Sequence, residues 1–250
     1  MDIEPPLVTE ARRICDEAAG RGIQVRLIGG IAIWLRAADD VRERMGREYA
    51  DIDLVTTRKH SKALRELLES LGYEPDKMFN AVQGDRRLYF RSADGSHHLD
   101  IFVDRFVMSH ELDLAARLET EPVVLPAAEL LLTKLQIAEL NQKDAHDTAM
   151  LLLGHELAQE DGPGVLNMAQ VTDVCGQDWG FYTTVTDNLG KTHALLESIL
   201  SQSEHRGVVA ERTDILLANL EAAPKSRGWR RRAKIGRRMR WYQTPDESTR

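Results

Sequence analysis

Cysteine is scarce in this chain, since only Cys15 and Cys175 occur among its 250 residues. Two thiols so far apart in sequence are too few for a disulfide framework or a cysteine-based zinc site. We expect both to be buried, reduced thiols of a cytoplasmic protein. Long apolar runs are missing as well, because no stretch of about 18 apolar residues occurs, and the first residues lack the pattern of a secretory signal. The sequence therefore predicts a protein without a membrane span.

Two patterns that bind phosphate or nucleic acid are also absent. No GxxxxGK[S/T] run occurs, which argues against a P-loop enzyme, and no zinc-finger or recognition-helix pattern stands out. The composition is that of a globular protein, with 42% hydrophobic and 29% charged residues, which excludes a wholly disordered chain. The length allows one large domain or two small ones.

Positive charge is sparse in most of the chain and concentrated near its end. Residues 1–224 carry 23 Lys and Arg against 38 Asp and Glu, a net charge of −15, whereas residues 225–240 carry nine Lys and Arg and no acid. Trp229, Trp241 and Tyr242 lie among or beside these basic residues, a mixture suited to base stacking and phosphate contact. Three interpretations of residues 225–240, the basic tail, stay open: a nucleic-acid arm, a segment that docks on the acidic body, or a solvated helix.

Hydrophobic periodicity divides the chain into an alternating first part and a helical second part. Strands are predicted at 23–28, 51–56, 86–92 and 97–103, the last two as a hairpin, with helices at 9–20, 31–38 and 60–73 and a charged loop at 39–48. Later helices are predicted at 111–118, 127–140, 144–158, 188–202 and 208–221. We therefore predict an α/β (α+β) fold, in which a small mixed sheet flanked by helices precedes a helical domain. The predicted divisions are an α/β domain at 1–108, a helical domain at 109–223 and a tail at 224–250.

The main chemical signal is a glycine turn followed by two spaced carboxylates. Gly29 and Gly30 separate a predicted strand from a predicted helix, so that a phosphate can approach backbone N–H groups at the positive end of that helix. The next strand opens with Asp51-Ile52-Asp53, and residues two apart on a strand point to the same face. Two such carboxylates can hold one or two divalent ions, and oxygen-only ligands favour Mg²⁺ or Mn²⁺ over zinc.

A third carboxylate is expected from a neighbouring strand. Asp100 fits, because apolar residues flank it within the predicted strand 97–103. A charged group in such a strand is costly unless it pairs with another charge or binds a metal. We therefore predict Asp51, Asp53 and Asp100 as the metal ligands of a phosphoryl-transfer site.

Together these motifs resemble those of nucleotidyltransferases of the DNA polymerase β superfamily. Within that superfamily, the chain is most similar to the toxin nucleotidyltransferases of the AbiEii/AbiGii type. The resemblance rests on Gly29-Gly30, Arg47-x-x-x-Asp51-Ile52-Asp53, Asp100, Leu125-Pro126 running into residues 129–135, and residues 143–147. It covers residues 23–153, more than half of the chain.

The resemblance implies further site residues. In the family, a Thr-Lys motif and a downstream aspartate complete the catalytic set, and the matching residues here are Lys134 and Asp147. The implied nucleotide contacts are Gly29, Gly30, Arg47 and Lys134. Among them, Lys134 would neutralise the triphosphate. On one straight helix, Lys134 and Asp147 would face about 140° apart. Either a break at Asn141-Gln142 separates two helices, or only one of the two residues faces the cleft, and we favour the break.

The resemblance implies a metal-dependent enzyme that transfers a nucleoside monophosphate from an NTP to an acceptor hydroxyl, with Mg²⁺ or Mn²⁺ as cofactor. The toxin similarity and the basic tail favour RNA, specifically tRNA, as the acceptor, and they imply an antitoxin protein as a partner. A small molecule of the aminoglycoside or lincosamide type is an alternative acceptor, because a cationic drug would be attracted to an acidic cleft. A non-catalytic nucleotide- or RNA-binding module is the other alternative, and the intact Asp-x-Asp pattern argues against it.

Overall fold

The computed structural model describes residues 4–45 and 48–244. The chain divides into two compact units, which we call the sheet unit (residues 1–107 and 112–126) and the helical unit (residues 108–111 and 127–250). Among the described residues, none of the helices has the length and apolar character that a membrane crossing requires.

A five-stranded mixed sheet lies at the centre of the sheet unit. Its strands are β1 (Val25–Ile28), β2 (Asp51–Thr56), β3 (Glu74–Pro75), β4 (Arg87–Arg91) and β5 (His98–Val103), in the spatial order β1-β2-β5-β4-β3. Strands β2 and β5 pair in parallel, and the other neighbouring pairs are antiparallel. The structure thus confirms the four predicted strands, the predicted hairpin and the mixed sheet.

Helices lie before, between and after these strands. They are α1 (Pro6–Gly20), α2 (Gly29–Arg36), α3 (Asp39–Met45), α4 (Arg58–Ser70) and α5 (Lys77–Gln83). Helix α1 packs on β1, β2 and α4. Two short strands, β6 (Arg105–Val107) and β7 (Glu111–Asp113), follow β5, and residues 123–125 then run along β1 through backbone hydrogen bonds with Leu27.

The prediction of a loop at 39–48 is wrong for residues 39–45, which form α3. Asp39 and Asp40 lie in the first turn of this helix, where a negative charge is favourable. The Arg42 guanidinium lies 4.5 Å from the ring centroid of Trp34 and donates a hydrogen bond to the Trp34 carbonyl. The helix is thus held by a contact with α2 that charge composition alone does not reveal.

The helix predicted at 111–118 is also wrong. Leu112 and Leu114 are buried and alternate with exposed Glu111 and Asp113, which is the period of a strand. The chain accordingly forms β7 and then a short 3₁₀ helix at Ala115–Glu119.

The two faces of the sheet differ in polarity. Alternate residues of β2, β4 and β5 are fully buried and apolar: Ile52, Leu54, Leu88, Phe90, Leu99 and Ile101. The intervening residues lie on the opposite side, which also holds Val55, Arg91 and Phe102. Six polar residues there form what we call the polar face: Asp51, Asp53, Arg87, Tyr89, His98 and Asp100. Since residues paired across strands share a face, the strand period places the three predicted carboxylates on one surface of one sheet.

The helical unit confirms the prediction of a helical second part. Its helices are α6 (Ala127–Leu135), α7 (Gln142–Gly154), α8 (Met168–Gln177), α9 (Trp179–Ile199), α10 (Ser203–Ala222) and α11 (Arg227–Ile235). Helix α9 is central, since it contacts each of the other five. A parallel pair of short strands that was not predicted, β8 (Glu156–Ala158) and β9 (Val165–Asn167), lies between α7 and α8.

The predicted break between Lys134 and Asp147 is confirmed, although α6 already ends at Leu135. Helix α7 begins after Asn141, whose side chain accepts a hydrogen bond from the backbone N–H of Asp144 at 2.9 Å. This is the ordinary chemistry of a helix N-cap. The side-chain amide of Asn188 donates to two carbonyls at the end of α6, which satisfies acceptors that a helix terminus leaves unpaired.

Both cysteines are free and buried, as predicted. Burial raises the pKa of Cys15 to about 12 and raises the pKa of Cys175 further. Neither thiol is therefore a nucleophile near neutral pH.

Candidate functional site

The turn between β1 and α2 brings its backbone directly against a predicted metal ligand. Gly29 has a φ of +68°, and a Cβ added there would lie 2.0 Å from Oδ2 of Asp53. Only glycine fits this position, because a side chain would be strained in its backbone and would collide with the carboxylate. Gly29 and Gly30 form the first turn of α2, which has no side-chain cap. The predicted phosphate-binding turn is therefore next to Asp53.

The two carboxylates of β2 lie on the polar face with different neighbours. Asp53 is paired with Ile28 of β1 on one side and with Asp100 of β5 on the other. Asp51 is paired with His98, and its Oδ2 lies 3.8 Å from Nε2 of that histidine. The Asp51 side chain is 48% exposed, so this end of the pair is open to solvent.

Asp100 is held by an arginine that was not predicted. Nε of Arg87 donates to Oδ1 of Asp100 at 2.7 Å, and Nη2 of Arg87 donates to Oδ2. The pair is largely buried, with side-chain exposures of 21% and 11%. Burial lowers the pKa of Arg87, but the hydrogen bonds and charge of Asp100 and the charge of Asp53 outweigh it, so that this pKa lies above its ordinary value. The Arg87–Asp100 pair is thus a two-point contact within the polar face.

An aromatic pair completes the polar face. The rings of Tyr89 and His98 stack at a centroid distance of 5.0 Å and an interplanar angle of 26°. The sequence analysis gave no role to Arg87, Tyr89 or His98. The available signal was the strand period within the predicted hairpin. Arg87 and Tyr89 are two apart and therefore share a face, and the register determines whether that is the face of Asp100.

The donor set of the polar face fits a hard divalent cation in part. Asp51 and Asp53 supply only oxygen ligands, which suits Mg²⁺ or Mn²⁺. In the described residues, no three His, Cys, Asp or Glu side chains form a group ready to hold a metal. Both oxygens of Asp100 accept hydrogen bonds from Arg87. Asp51 and Asp53 thus supply the ligand type that such an ion prefers, and Asp100 could join them only after exchange of its bonds to Arg87.

Lys134 and Asp147, in the helical unit, lie close together. Nζ of Lys134 is 2.9 Å from Oδ2 of Asp147 and 3.1 Å from Oδ1 of Asp144. The Asp147 side chain is fully buried and the Lys134 side chain is 13% exposed. Buried charges persist in proteins when they are paired in this way. Asp144 is a member of this cluster that the sequence analysis missed.

Arg47, the remaining predicted nucleotide contact, lies outside the described residues.

One side of the basic tail is anchored on helix α9. Arg237 makes two hydrogen bonds to the carboxylate of Asp187, at 2.8 and 2.7 Å. Nε1 of Trp241 donates to Thr184 at 3.1 Å. The Trp229 ring meets Tyr182 edge to face at 5.4 Å. Of the three interpretations left open, docking on the acidic body therefore describes this side of the tail.

The other side of the tail is a row of exposed basic residues. Along α11 and the turn after it, this row, which we call the basic row, consists of Arg227, Arg230, Arg231, Lys234 and Arg238. Spacings of three and four residues place the four members within α11 on one side of the helix, and Arg238 follows in the turn after it. Helix α11 is thus anchored by one face and presents positive charge on the other.

Comparison with known proteins assigns the chain to a family. A family described as "uncharacterised nucleotidyltransferase" matches residues 6–153. The chain belongs to this nucleotidyltransferase family. The matched segment contains the glycine turn, the polar face and the Lys134 cluster, so the family relationship covers all of the predicted catalytic residues. A comparison with curated proteins gave no match.

Several solved structures resemble this nucleotidyltransferase distantly. The lincosamide antibiotic adenylyltransferase LnuA, bound to lincomycin, is 17% identical with a TM-score of 0.41 and covers 57% of this chain and 94% of its own. ANT(2")-Ia in complex with adenylyl-2"-tobramycin is 16% identical with a TM-score of 0.36, covering 87% and 98%. An antigenic nucleotidyltransferase-like protein from Paracoccidioides brasiliensis is 14% identical with a TM-score of 0.41, covering 88% and 94%. These likenesses are too distant to carry an argument about substrate.

Proposed function

We propose that this nucleotidyltransferase transfers a nucleoside monophosphate from an NTP to an acceptor hydroxyl and releases pyrophosphate. The observation that carries the proposal is the contact between the Gly29 turn and Asp53. The predicted phosphate-binding turn and a predicted metal ligand lie side by side there. Nucleotidyl transfer needs both groups, because a triphosphate must be held and its charge neutralised.

In this proposal, each group of the sheet unit has a defined task. Asp51 and Asp53 would hold Mg²⁺ or Mn²⁺, which when bound supplies positive charge to the triphosphate and to the acceptor oxygen. The backbone N–H groups of Gly29 and Gly30 would orient phosphate oxygens at the start of α2. The acceptor oxygen forms a bond to the α-phosphorus, the bond to pyrophosphate breaks, and the hydroxyl proton passes to the carboxylate of Asp100 or to water. The roles of Lys134 and Asp147 stay predictions from the family resemblance.

For the acceptor, we favour RNA, specifically tRNA, in a toxin of the AbiEii/AbiGii type that is neutralised by an antitoxin protein. The basic row supports an RNA acceptor, because exposed arginines and lysines on one side of the tail can contact phosphates. The aromatic residues of the tail give less support than the sequence suggested. Trp229 and Trp241 are engaged with Tyr182 and Thr184, so stacking on bases would require their release.

A small-molecule acceptor of the aminoglycoside or lincosamide class is the second candidate. The observation that favours it is the net charge of −15 over residues 1–224. Such a charge attracts a cationic compound and repels RNA from every surface except the tail. The third candidate, a binding module without catalysis, requires nucleotide binding without turnover.

One experiment separates these candidates. The protein is incubated with each α-labelled NTP and Mg²⁺, with and without total tRNA, beside the variants Asp53→Asn and Asp85→Asn. Asp85 is the matched control, because it is an exposed aspartate of the same unit. Label on tRNA with the wild type and Asp85→Asn, and none with Asp53→Asn, is the expected result.

Other outcomes point elsewhere. Pyrophosphate release that needs an added aminoglycoside or lincosamide, with no label on tRNA, would move the proposal to the second candidate. Mg²⁺-dependent NTP binding without any turnover would favour the third. Equal activity of Asp53→Asn and the wild type would contradict the proposed site itself.

A further inference from the structure

On the polar face, the Arg87 guanidinium binds the carboxylate of Asp100, which is also a predicted ligand of the divalent cation. Asp53 and Asp100 are paired neighbours on β2 and β5, and both lie on the polar face with Arg87. Arg87 already occupies both oxygens of Asp100. A metal ion ligated by Asp53 and Asp100 together therefore needs an oxygen that now accepts from Arg87.

The Arg87–Asp100 pair is bidentate and largely buried. A guanidinium that meets a carboxylate with two parallel N–H···O bonds forms the strongest kind of side-chain pair. Burial strengthens the pair, since little water screens it. Arg91, on the same strand and the same face, is different: its ion pair with Asp76 measures 3.7 Å, its guanidinium lies 5.7 Å from the Tyr89 ring centroid, and its side chain is 64% exposed. The fixed pairing is thus particular to Arg87.

We propose that Arg87 is a positioning residue that holds Asp100 in the metal-free protein and releases it when a divalent cation binds to the polar face. The proposal rests on the proposed function, because that function supplies the cation. The cost of releasing Arg87 weakens cation binding at this face. In return, the buried carboxylate of Asp100 keeps its position and its partner while no metal is bound.

The test measures binding of Mn²⁺ alone, from the decrease of the free-ion electron paramagnetic resonance signal, without nucleotide and without turnover. Arg87→Gln removes the competing cation, so Mn²⁺ binding is expected to tighten by about tenfold or more, the scale of one strong charged hydrogen bond. Arg87→Lys keeps the charge but cannot make two parallel bonds, so its affinity is expected between those of Arg87→Gln and the wild type. Arg91→Gln is the matched control and is expected to change the affinity less than about twofold, as an exposed ion pair predicts.

A double-mutant cycle separates release of Asp100 from a simple loss of positive charge. In an Asp100→Asn background, Arg87→Gln is expected to change Mn²⁺ affinity by less than about twofold. A second readout is thermal stability. Arg87→Gln leaves Asp100 buried without its partner, so the variant is expected to melt below the wild type without metal and to gain more in Tm than the wild type on addition of Mn²⁺.

The outcomes are distinguishable. Equal Mn²⁺ affinity of Arg87→Gln and the wild type, or equal tightening in the Asp100→Asn background, would overturn the proposal and leave the proposed function standing. Absence of Mn²⁺ binding in every variant would overturn both. If Arg87→Gln does not fold, Arg87→Lys carries the same comparison, and an affinity equal to that of the wild type would then refute the exchange.

Discussion

Gly29 and Asp53 approach each other so closely that a Cβ on residue 29 would lie 2.0 Å from the Asp53 carboxylate. The approach joins the turn after β1 to the polar face of β2. It explains why a glycine is required at the end of β1, where the chain must also turn through a positive φ into a helix. A predicted phosphate-binding turn and a predicted metal ligand are thus parts of one packed arrangement.

We expect Gly29→Ala to lower the free energy of unfolding by more than the strain of a positive φ alone would. Gly95 is a matched control, because its φ of +69° equals that of Gly29 within a degree and no atom lies within 4 Å of an added Cβ. Gly95→Ala should lower the free energy of unfolding by about 1–2 kcal/mol, the cost of a left-handed alanine. Gly29→Ala should cost about 1–3 kcal/mol more, from overpacking.

Urea unfolding of both variants measures the difference, and Mn²⁺ titration shows whether Asp53 has moved. Equal destabilisation by the two substitutions would mean that the Asp53 carboxylate moves away from the added methyl group without a loss of stability.

Removing the buried amino group of Lys134 should destabilise the helical unit. Lys134→Met leaves Asp144 and Asp147 as two buried carboxylates without their cation, at an expected cost of about 3–5 kcal/mol. Lys143→Met removes an exposed lysine from the neighbouring helix α7 and should change stability by less than about 0.5 kcal/mol. Chemical denaturation of the two variants is the measurement.

A further variant tests the cause. Lys134→Met combined with Asp144→Asn and Asp147→Asn should recover part of the lost stability, because no uncompensated charge remains. A triple variant less stable than Lys134→Met would show that the carboxylates serve the fold by other contacts.

The turn of the β4–β5 hairpin should show an acid-dependent contribution to stability. Hydrogen bonds from the backbone N–H of Ser96 and from the hydroxyls of Ser92 and Ser96 lower the pKa of Asp94 from 3.8 to about 2. Because the pKa is lower in the folded state, the charged carboxylate stabilises the turn above about pH 4, and this contribution is lost as the pH falls toward 2. A carboxyl NMR titration of Asp94 measures the pKa.

Ser92→Ala removes one of the three donors, so the pKa of Asp94 should move back toward 3.8. A wild-type value near 3.8 would refute the predicted hydrogen bonds.

The basic row should account for the salt dependence of RNA binding, if RNA is the acceptor. Each phosphate contact contributes about 0.7 to the slope of log K against log salt on a single strand. Substituting Arg230, Arg231 and Lys234 by Gln should therefore lower that slope by about 2. Substituting Arg12, Arg21 and Lys62 by Gln removes the same charge from exposed positions of the sheet unit.

Fluorescence anisotropy with total tRNA, at several salt concentrations, gives the slopes. Equal slopes for the two triple variants would assign the binding to net charge rather than to the basic row.

The sequence was informative wherever a contact is local or a period is strict. Strand β2 has the predicted bounds: Asp51 to Leu54 alternates carboxylates with buried apolar residues, and the β-branched Val55 and Thr56 continue the strand. The break between α6 and α7 was predicted from the angular separation of Lys134 and Asp147, and the structure shows the two side chains in contact. In both cases, helix or strand geometry acts on neighbouring residues.

Contacts between distant residues could not be predicted in the same way. Arg87 looked like one of several charged residues in a strand. The register of β4 on β5 pairs it with Phe102, and only its side-chain hydrogen bonds show that it meets Asp100. Helix α3 depends on a stacking contact between Arg42 and Trp34, and the charge of its segment suggested a loop. Hydrophobic period determines the face of a side chain but not its partner.

The order of strands in the sheet has a consequence for how the polar face is assembled during folding. Asp53 and Asp100 are 47 positions apart in sequence, whereas Arg87 and Asp100 are 13 apart within one hairpin. Because short loops close at a lower entropic cost, we expect the hairpin to form before β2 joins it. Asp100 would then arrive at Asp53 with its counter-ion already bound, so that Arg87 would act as an internal folding aid that keeps two carboxylates from meeting unshielded.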